Sequence, residues 1–277
     1  MISEKKIGFI GGGQMGEAIF GGIVASGAVK PENIILTDIS EERLNAMHKA
    51  YGIQTVVNDS DNRGAKELIE AVDVLVFSIK PQFARGLLTA VKSSVRKSQV
   101  VVSIMGGITL DYLDEFFPEN PVLRVMPNTP MKVRKGIAGI AANQNASQED
   151  KQLGVEMFEL VGRAYLLPEG LIDPLTSVSG CSPAFAYLFI EAMADGGVEK
   201  GLPRPMAIEL AAQALAGSAE MVLQTGMHPA ELKDSVCSPG GSTIVGVHAL
   251  ERGNFRATVM NAVTESCDKM IEVGKKA

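Results

Sequence analysis

The chain has 277 residues and a formal net charge of −6, with 26 basic against 32 acidic side chains, no tryptophan and only four tyrosines. That length suggests two domains rather than one. An acidic balance with few aromatics offers neither the cationic surface nor the stacking platform that nucleic-acid binding uses. Three cysteines without CxxC spacing and three histidines make no zinc pattern, so no metal is expected. Isolated cysteines of this kind read as small buried residues in a reducing compartment, which points to the cytoplasm. The start enters an apolar strand pattern after six residues without a cleavage site, so it does not read as an export signal. The most apolar later stretch, Val72 to Ile79, is too short to span a bilayer, and a soluble protein is expected.

In chain order, a β-favouring run from Ile7 to Ile10 meets Gly11-x-Gly13-x-x-Gly16, after which Met15, Ala18, Ile19, Gly22 and Ile23 recur at helical spacing. Strand, tight turn and helix follow. Gly11 permits the turn, Gly13 lets a pyrophosphate approach bare backbone, and Gly16 allows close packing of a helix whose N-terminus faces the anion. A second strand, Asn33 to Thr37, ends in Asp38, 22 residues beyond Gly16, where a ribose-binding acid belongs. Helical patterns at 41–51, 63–71 and 82–91 then alternate with strands at 73–78 and 99–104. Further strands are predicted at 122–126, 137–142 and 164–167, with a helix at 148–161. Such alternation implies an α/β fold with a doubly wound parallel sheet. Three corners fall at strand ends: Ser78-Ile79-Lys80-Pro81, Met105-Gly106-Gly107, and Met126 to Pro130. Each alone also suits an ordinary loop; together, after the glycine fingerprint, they favour a cofactor cleft.

Strand signals stop near Leu167-Pro168, and the rest reads as helix, so domains are expected at 1–167 and 168–277. In Ala207 to Gln224 the polar residues Glu209, Gln213, Glu220 and Gln224 form one narrow stripe on an otherwise apolar surface. Subunit association would enclose that helix; the alternative is the centre of a monomeric bundle. Later, Ser238-Pro239-Gly240-Gly241-Ser242-Thr243 delivers the chain into a helix N-terminus. Two adjacent glycines permit positive φ and leave N–H groups uncovered. The corner suits a substrate carboxylate, or equally a plain turn with Ser242 as helix cap.

The segment HPAELKDSVCSPGGSTIVGVHALE, His228 to Glu251, resembles the one that marks pyrroline-5-carboxylate reductases. FIGGGQMG, SIKP, MPNTP, VSGCSPAFAY and ADGGVEKGLPR match in the same order along most of the chain. The resemblance implies a Rossmann domain, an all-α C-terminal domain that forms an intertwined dimer, rings of dimers such as a homodecamer, and reduction of a cyclic imine carboxylate to L-proline with NADPH or NADH. It further implies that Thr243 hydrogen-bonds the ring nitrogen as the catalytic residue, and that Ser238, Gly240, Gly241, Ser242 and Thr243 bind the substrate.

By the same resemblance, Gly11, Gly13, Gln14, Met15 and Gly16 form the pyrophosphate loop. Thr37 and Asp38 stand at the ribose, Ser78, Lys80 and Pro81 lie over the ribose and nicotinamide, and Met105 with Gly106 follows the next strand. An asparagine at the adenosine end is Asn62 or Asn58. Relatives carry serine, asparagine or arginine where this chain has Thr37-Asp38, and a carboxylate there accepts from a free 2′-hydroxyl while repelling a phosphate, so NADH should serve at least as well as NADPH. Ser235 replaces an asparagine of some relatives, and Lys200 lies beside a glycine corner; neither is given a role. Cys181 reads as packing, with no histidine beside it. A β-hydroxyacid dehydrogenase would need a lysine in Pro183 to Tyr187, which has none. A catalytically silent dinucleotide-binding protein would not need the corner at Gly240.

Overall fold

Residues 2–274 are described in a computed structural model. The chain divides into two compact units, one extending to Gly180 and including the end of the last helix from Cys267, the other formed by Cys181–Ser266.

The first unit is built on β1 (Ile7–Ile10), β2 (Ile34–Asp38), β3 (Gln54–Val57), β4 (Val74–Phe77), β5 (Val100–Ser103), β6 (Val122–Pro127), β7 (Gly136–Ala142) and β8 (Gly162–Leu166). They form one sheet in the order β3-β2-β1-β4-β5-β6-β7-β8. Every residue of β1, β4 and β5 is buried, as continuous apolar runs require when both faces of a sheet are covered. Alternate side chains feed two cores. Phe9, Leu36 and Val76 pack with Ile19 and Phe158 on one face; Ile35, Leu75 and Phe77 pack with Leu88 and Phe117 on the other.

The covering helices are α1 (Gln14–Ser26), α2 (Glu41–Tyr51), α3 (Arg63–Ala71), α4 (Ala84–Val91), α5 (Leu110–Asp114), α6 (Gln148–Glu159) and α7 (Ile172–Ser179). Their ends carry the expected chemistry: Ser40 caps α2, and Ser147 and Asp150 make a reciprocal capping box on α6. β3 and α5 have no clear sequence signal, because β3 is only partly buried and α5 is little longer than one turn.

The sheet is not wholly parallel: β6 and β7 run antiparallel, with Arg124 opposite Ala141 and Met126 opposite Gly139. Their link is a short 3₁₀ turn, Thr129–Val133, far below the length a parallel crossover needs. The turn is held by Asn128, whose amide donates to Ser179 O at 3.0 Å while its Oδ1 accepts from Ile137 N at 2.8 Å. Beside it, buried Arg124 meets Glu169 at 2.8 Å and Asp173 at 3.4 Å. These contacts join α7 to the sheet, so the compact first unit continues past the last strand to Gly180.

The second unit is helical, with α8 (Ser182–Glu199), α9 (Arg204–Thr225), α10 (Pro229–Ser235), α11 (Ser242–Arg252) and most of α12 (Phe255–Gly274). α8 and α9 pack together through the small residues Ala194, Ala207 and Ala211 and an Arg204–Asp195 ion pair of 2.5 Å. Large apolar side chains such as Leu188, Leu210, Val245 and Met260 remain exposed. Val72–Ile79 is too short to span a bilayer, as expected, but α9, with 22 residues and an 18-residue stretch of mean hydropathy 1.3, is long and apolar enough to cross a membrane by length and composition alone, a test that the core helix of a soluble protein also passes. Its four spaced polar residues obscure that length when contiguous apolar runs are sought.

Asn128→Ala should lower stability by about 1–3 kcal/mol, because it takes the side-chain acceptor from the part-buried Ile137 N–H and one donor from Ser179 O. The urea midpoint measures this, and an unchanged midpoint would show that the turn holds without the amide.

Candidate functional site

The reversal of strand order falls between β1 and β4, the place where ligands bind across the carboxyl ends of such sheets. Gly11 leaves β1 with φ +105°, and a Cβ there would stand 2.8 Å from Ser78 O, so glycine alone suits the turn. Gly13 is the N-cap of α1 and has no side-chain cap; around it a Cβ would find nothing nearer than 4.0 Å. The first N–H groups of α1 therefore face open space, the arrangement that receives a pyrophosphate. Gly16 is a packing position, where a Cβ would press on Gly11 O at 2.9 Å and Ser78 Oγ at 3.1 Å.

Ser78 closes the other side by donating its hydroxyl to Gly11 O at 2.6 Å. Asp38 fastens the turn to β2: Gly12 N donates to its Oδ2 at 2.6 Å and Ser40 N to its Oδ1 at 3.0 Å. A carboxylate has lone pairs beyond these two and can still accept ribose hydroxyls.

These ends enclose a cavity of ≈ 570 Å³. Of the expected cofactor residues, Gly11, Gly13, Thr37, Asp38, Asn62, Ser78 and Lys80 line it. Gln14, Met15, Gly16, Pro81, Met105 and Gly106 are not among its lining residues. The Met105 side chain lies in the core, with its N–H donated to Ser103 Oγ at 3.3 Å. Both candidate asparagines reach the cavity, in different ways. Asn58 accepts from Ala65 N at 3.0 Å, capping α3, and donates to Asn62 Oδ1 at 3.1 Å, while Asn62 holds φ +57°. Among the described residues the buried Thr37 Oγ1 has no hydrogen-bond partner. An orphan hydroxyl is costly, and beside this cavity a ligand atom would satisfy it.

Sequence reasoning missed Ile39 and Phe83, which line the cavity although both are largely exposed. Their signal was an apolar residue directly after a strand-end turn, a place where solvent alone would select polar side chains. It also missed the brace over Gly12. Arg43 Nε donates to Gly12 O at 2.8 Å and Nη2 to Glu17 Oε2 at 2.5 Å, while Tyr51 Oη donates to Glu17 Oε1 at 3.0 Å. Burial pushes the Glu17 carboxyl up, but hydrogen bonds from Arg43 and Tyr51 and the Arg43 charge outweigh it and hold the group below its ordinary value. Burial pushes the Tyr51 hydroxyl up, and its bond to Glu17 adds to the shift.

The late corner lies in the second unit. Gly240 takes φ +70°, Gly241 N donates to Ser238 O at 3.0 Å, and Ser238 Oγ lies where a Cβ on Gly241 would be, 2.5 Å from it. The cap of α11 is Gly241, not Ser242, and no side chain caps it; Ser242 is the first helical residue. The first N–H groups of α11 are thus left for an external acceptor, beside the exposed hydroxyls of Ser238 and Thr243. Among the described residues no cluster of side chains could hold a metal ion.

A Rossmann-type sheet with a bare glycine turn at its switch point, followed by a helical unit, defines a dinucleotide-dependent oxidoreductase as the class. A family model described as pyrroline-5-carboxylate reductase dimerisation matches residues 169–273, and one described as NADP oxidoreductase, coenzyme F420-dependent, matches residues 6–107. The chain is 42% identical to the pyrroline-5-carboxylate reductase of Methanosarcina acetivorans over 99% of its own length and 100% of that protein's. It is also 42% identical to that of Escherichia coli, over 98% and 99%. Its structure is similar to that of the Plasmodium falciparum pyrroline carboxylate reductase with NADP bound, with TM-score 0.86, 36% identity and coverage of 98% and 99%. The chain belongs to the pyrroline-5-carboxylate reductase family.

The depressed Glu17 group supplies stability that is present above its unfolded value of 4.5 and is lost as pH falls through the lower folded value. Glu17→Gln should therefore be less stable than the parent near neutrality and converge with it in acid. Urea midpoints across that range test this; curves that stay parallel would show that the brace does not titrate.

Proposed function

We propose that the chain reduces L-1-pyrroline-5-carboxylate to L-proline with NAD(P)H, the last step of proline synthesis. The observation that carries the substrate half is the corner from Ser238 to Thr243. Positive φ at Gly240 and an uncapped helix start at Gly241 present N–H donors in a concave turn, which suits a carboxylate. Ser238, Gly240, Gly241 and Ser242 grip that group, and Thr243, on the first turn of α11, offers a hydroxyl to the ring nitrogen.

The cofactor, when bound, supplies a hydride to the C=N carbon. A five-membered imine acid takes up a proton near neutrality, so the protein needs no strongly shifted acid. Its task is positioning, with Thr243 orienting the protonated nitrogen and fixing the face presented for reduction. Gly11, Gly13, Gln14, Met15 and Gly16 receive the pyrophosphate; Thr37, Asp38 and Asn62 hold the adenosine end; Ser78, Lys80, Pro81, Met105 and Gly106 line the path toward the nicotinamide. Asp38 favours a free 2′-hydroxyl, so NADH serves at least as well as NADPH.

We assign dinucleotide binding to residues 1–167 and substrate binding and dimerisation to residues 168–277, although α7 and the end of α12 pack with the first unit. The exposed apolar side chains of the helical unit support association, since a lone copy would leave them in water. α9 then sits in a subunit interface rather than a membrane. We place the protein in the cytoplasm as a homodimer, with dimers gathered into rings such as a homodecamer, and without a nucleic-acid partner.

The test is NADH oxidation with pyrroline-5-carboxylate, followed spectrophotometrically. The parent should turn over, and Thr243→Ala should lose about a hundredfold in kcat while retaining its affinity for NADH. Turnover only with hydroxyacids or their keto partners, or cofactor binding without turnover, would refute the assignment. Sedimentation should give at least a dimer; a compact monomer at micromolar concentration would contradict the reading of α9.

A further inference from the structure

Arg43 lies beside Asp38 and is ion-paired with an acid on another helix. It stands in the first turn of α2, and its stem runs over Gly12: a Cβ on Gly12 would lie 3.5 Å from Arg43 Cγ and 3.3 Å from Asp38 Oδ2. A guanidinium at this corner, just beyond the end of β2, is of the kind that accommodates a 2′-phosphate. Here it is turned toward α1. Its Nε is spent on Gly12 O at 2.8 Å and its Nη2 on Glu17 at 2.5 Å. Glu17 cannot swing away with it, because its second oxygen receives the Tyr51 hydroxyl at 3.0 Å. The pair is two-thirds or more buried, with side-chain exposures of 33% for Arg43 and 20% for Glu17, so salt and water screen it less than a surface pair.

We propose that Glu17, fixed by Tyr51, is a specificity-determining positioning residue that holds Arg43 away from the ribose and withholds its charge from a 2′-phosphate. Together with the Asp38 carboxylate, this brace biases the chain toward the dinucleotide with a free 2′-hydroxyl. The proposal rests on the reading of the Gly11–Gly16 cleft as a dinucleotide site. It adds a residue outside the cavity lining, reached through α1 rather than through the ribose contacts.

Isothermal titration of the purified full chain with NADH and with NADPH, without substrate, is the test. The parent should bind NADH at least as tightly as NADPH. Glu17→Gln should tighten NADPH about tenfold, as one new charge-assisted hydrogen bond would, and leave NADH unchanged. Tyr51→Phe, which removes a single hydroxyl and carries the test if Glu17→Gln fails to fold, should shift the ratio the same way by a smaller factor. The double variant Glu17→Gln with Arg43→Met should restore the parent ratio. A Kd ratio unmoved in both single variants overturns the proposal, as does a shift that persists without Arg43 or a parent that strongly prefers NADPH. A parent that binds neither dinucleotide overturns the reading of the cleft itself, which separates the two failures.

Discussion

The hydrogen bond from Gly12 N to the Asp38 carboxylate, 2.6 Å long, ties the glycine turn to the end of β2. The turn leaves β1 with Gly11 at a positive φ and must keep its backbone bare, so no side chain of its own can hold it in place. Its shape is imposed from outside: by Asp38 on one flank, by the Ser78 hydroxyl on the other, and by Arg43 at Gly12 O. The same carboxylate that shapes the turn also faces the cavity. Turn geometry and cavity lining are therefore coupled through one side chain, and replacing Asp38 would disturb both.

A second constraint acts where β6 gives way to β7. The short link after Pro127 allows only a reversal, and Asn128 and Arg124 fasten this part of the sheet to α7. Among the described residues Arg124 Nε has no partner in an otherwise paired cluster, a cost that goes with bringing β6, α5 and α7 together, since Glu169 also accepts from Leu110 N. Through these contacts α7 becomes part of the sheet's own packing.

The helical unit follows a different logic. Its internal packing relies on alanines between α8 and α9 and a ring contact between Phe189 and Phe255, with many larger apolar side chains left outside. A unit that buries so little of its apolar surface by itself is built for association, and membership in a family with a dimerisation domain accounts for it. The uncapped start of α11, with the corner proposed above for the substrate carboxylate, belongs to the same unit.

Local patterning was enough to reveal the strand, turn and helix at Ile7 to Ser26, the acid at Asp38, and the pliable corner at Gly240 and Gly241. Backbone geometry of this kind depends on neighbouring residues, and glycine, proline and alternating apolar residues record it directly. The late corner's two possible uses could not be separated by spacing; the structure removed Ser242 as the cap but left the corner's chemistry open. Other features belong to the folded chain alone. The antiparallel β6–β7 pairing followed from a link too short for any crossover, and β3 was too polar to announce itself. Arg43 and Tyr51 lie 26 and 34 positions beyond Glu17, and no local periodicity relates that acid to them. Packing α1 beside α2 on one face of the sheet brings them within hydrogen-bonding distance, because pairing between distant residues is a property of the assembled layers and leaves no mark on local sequence.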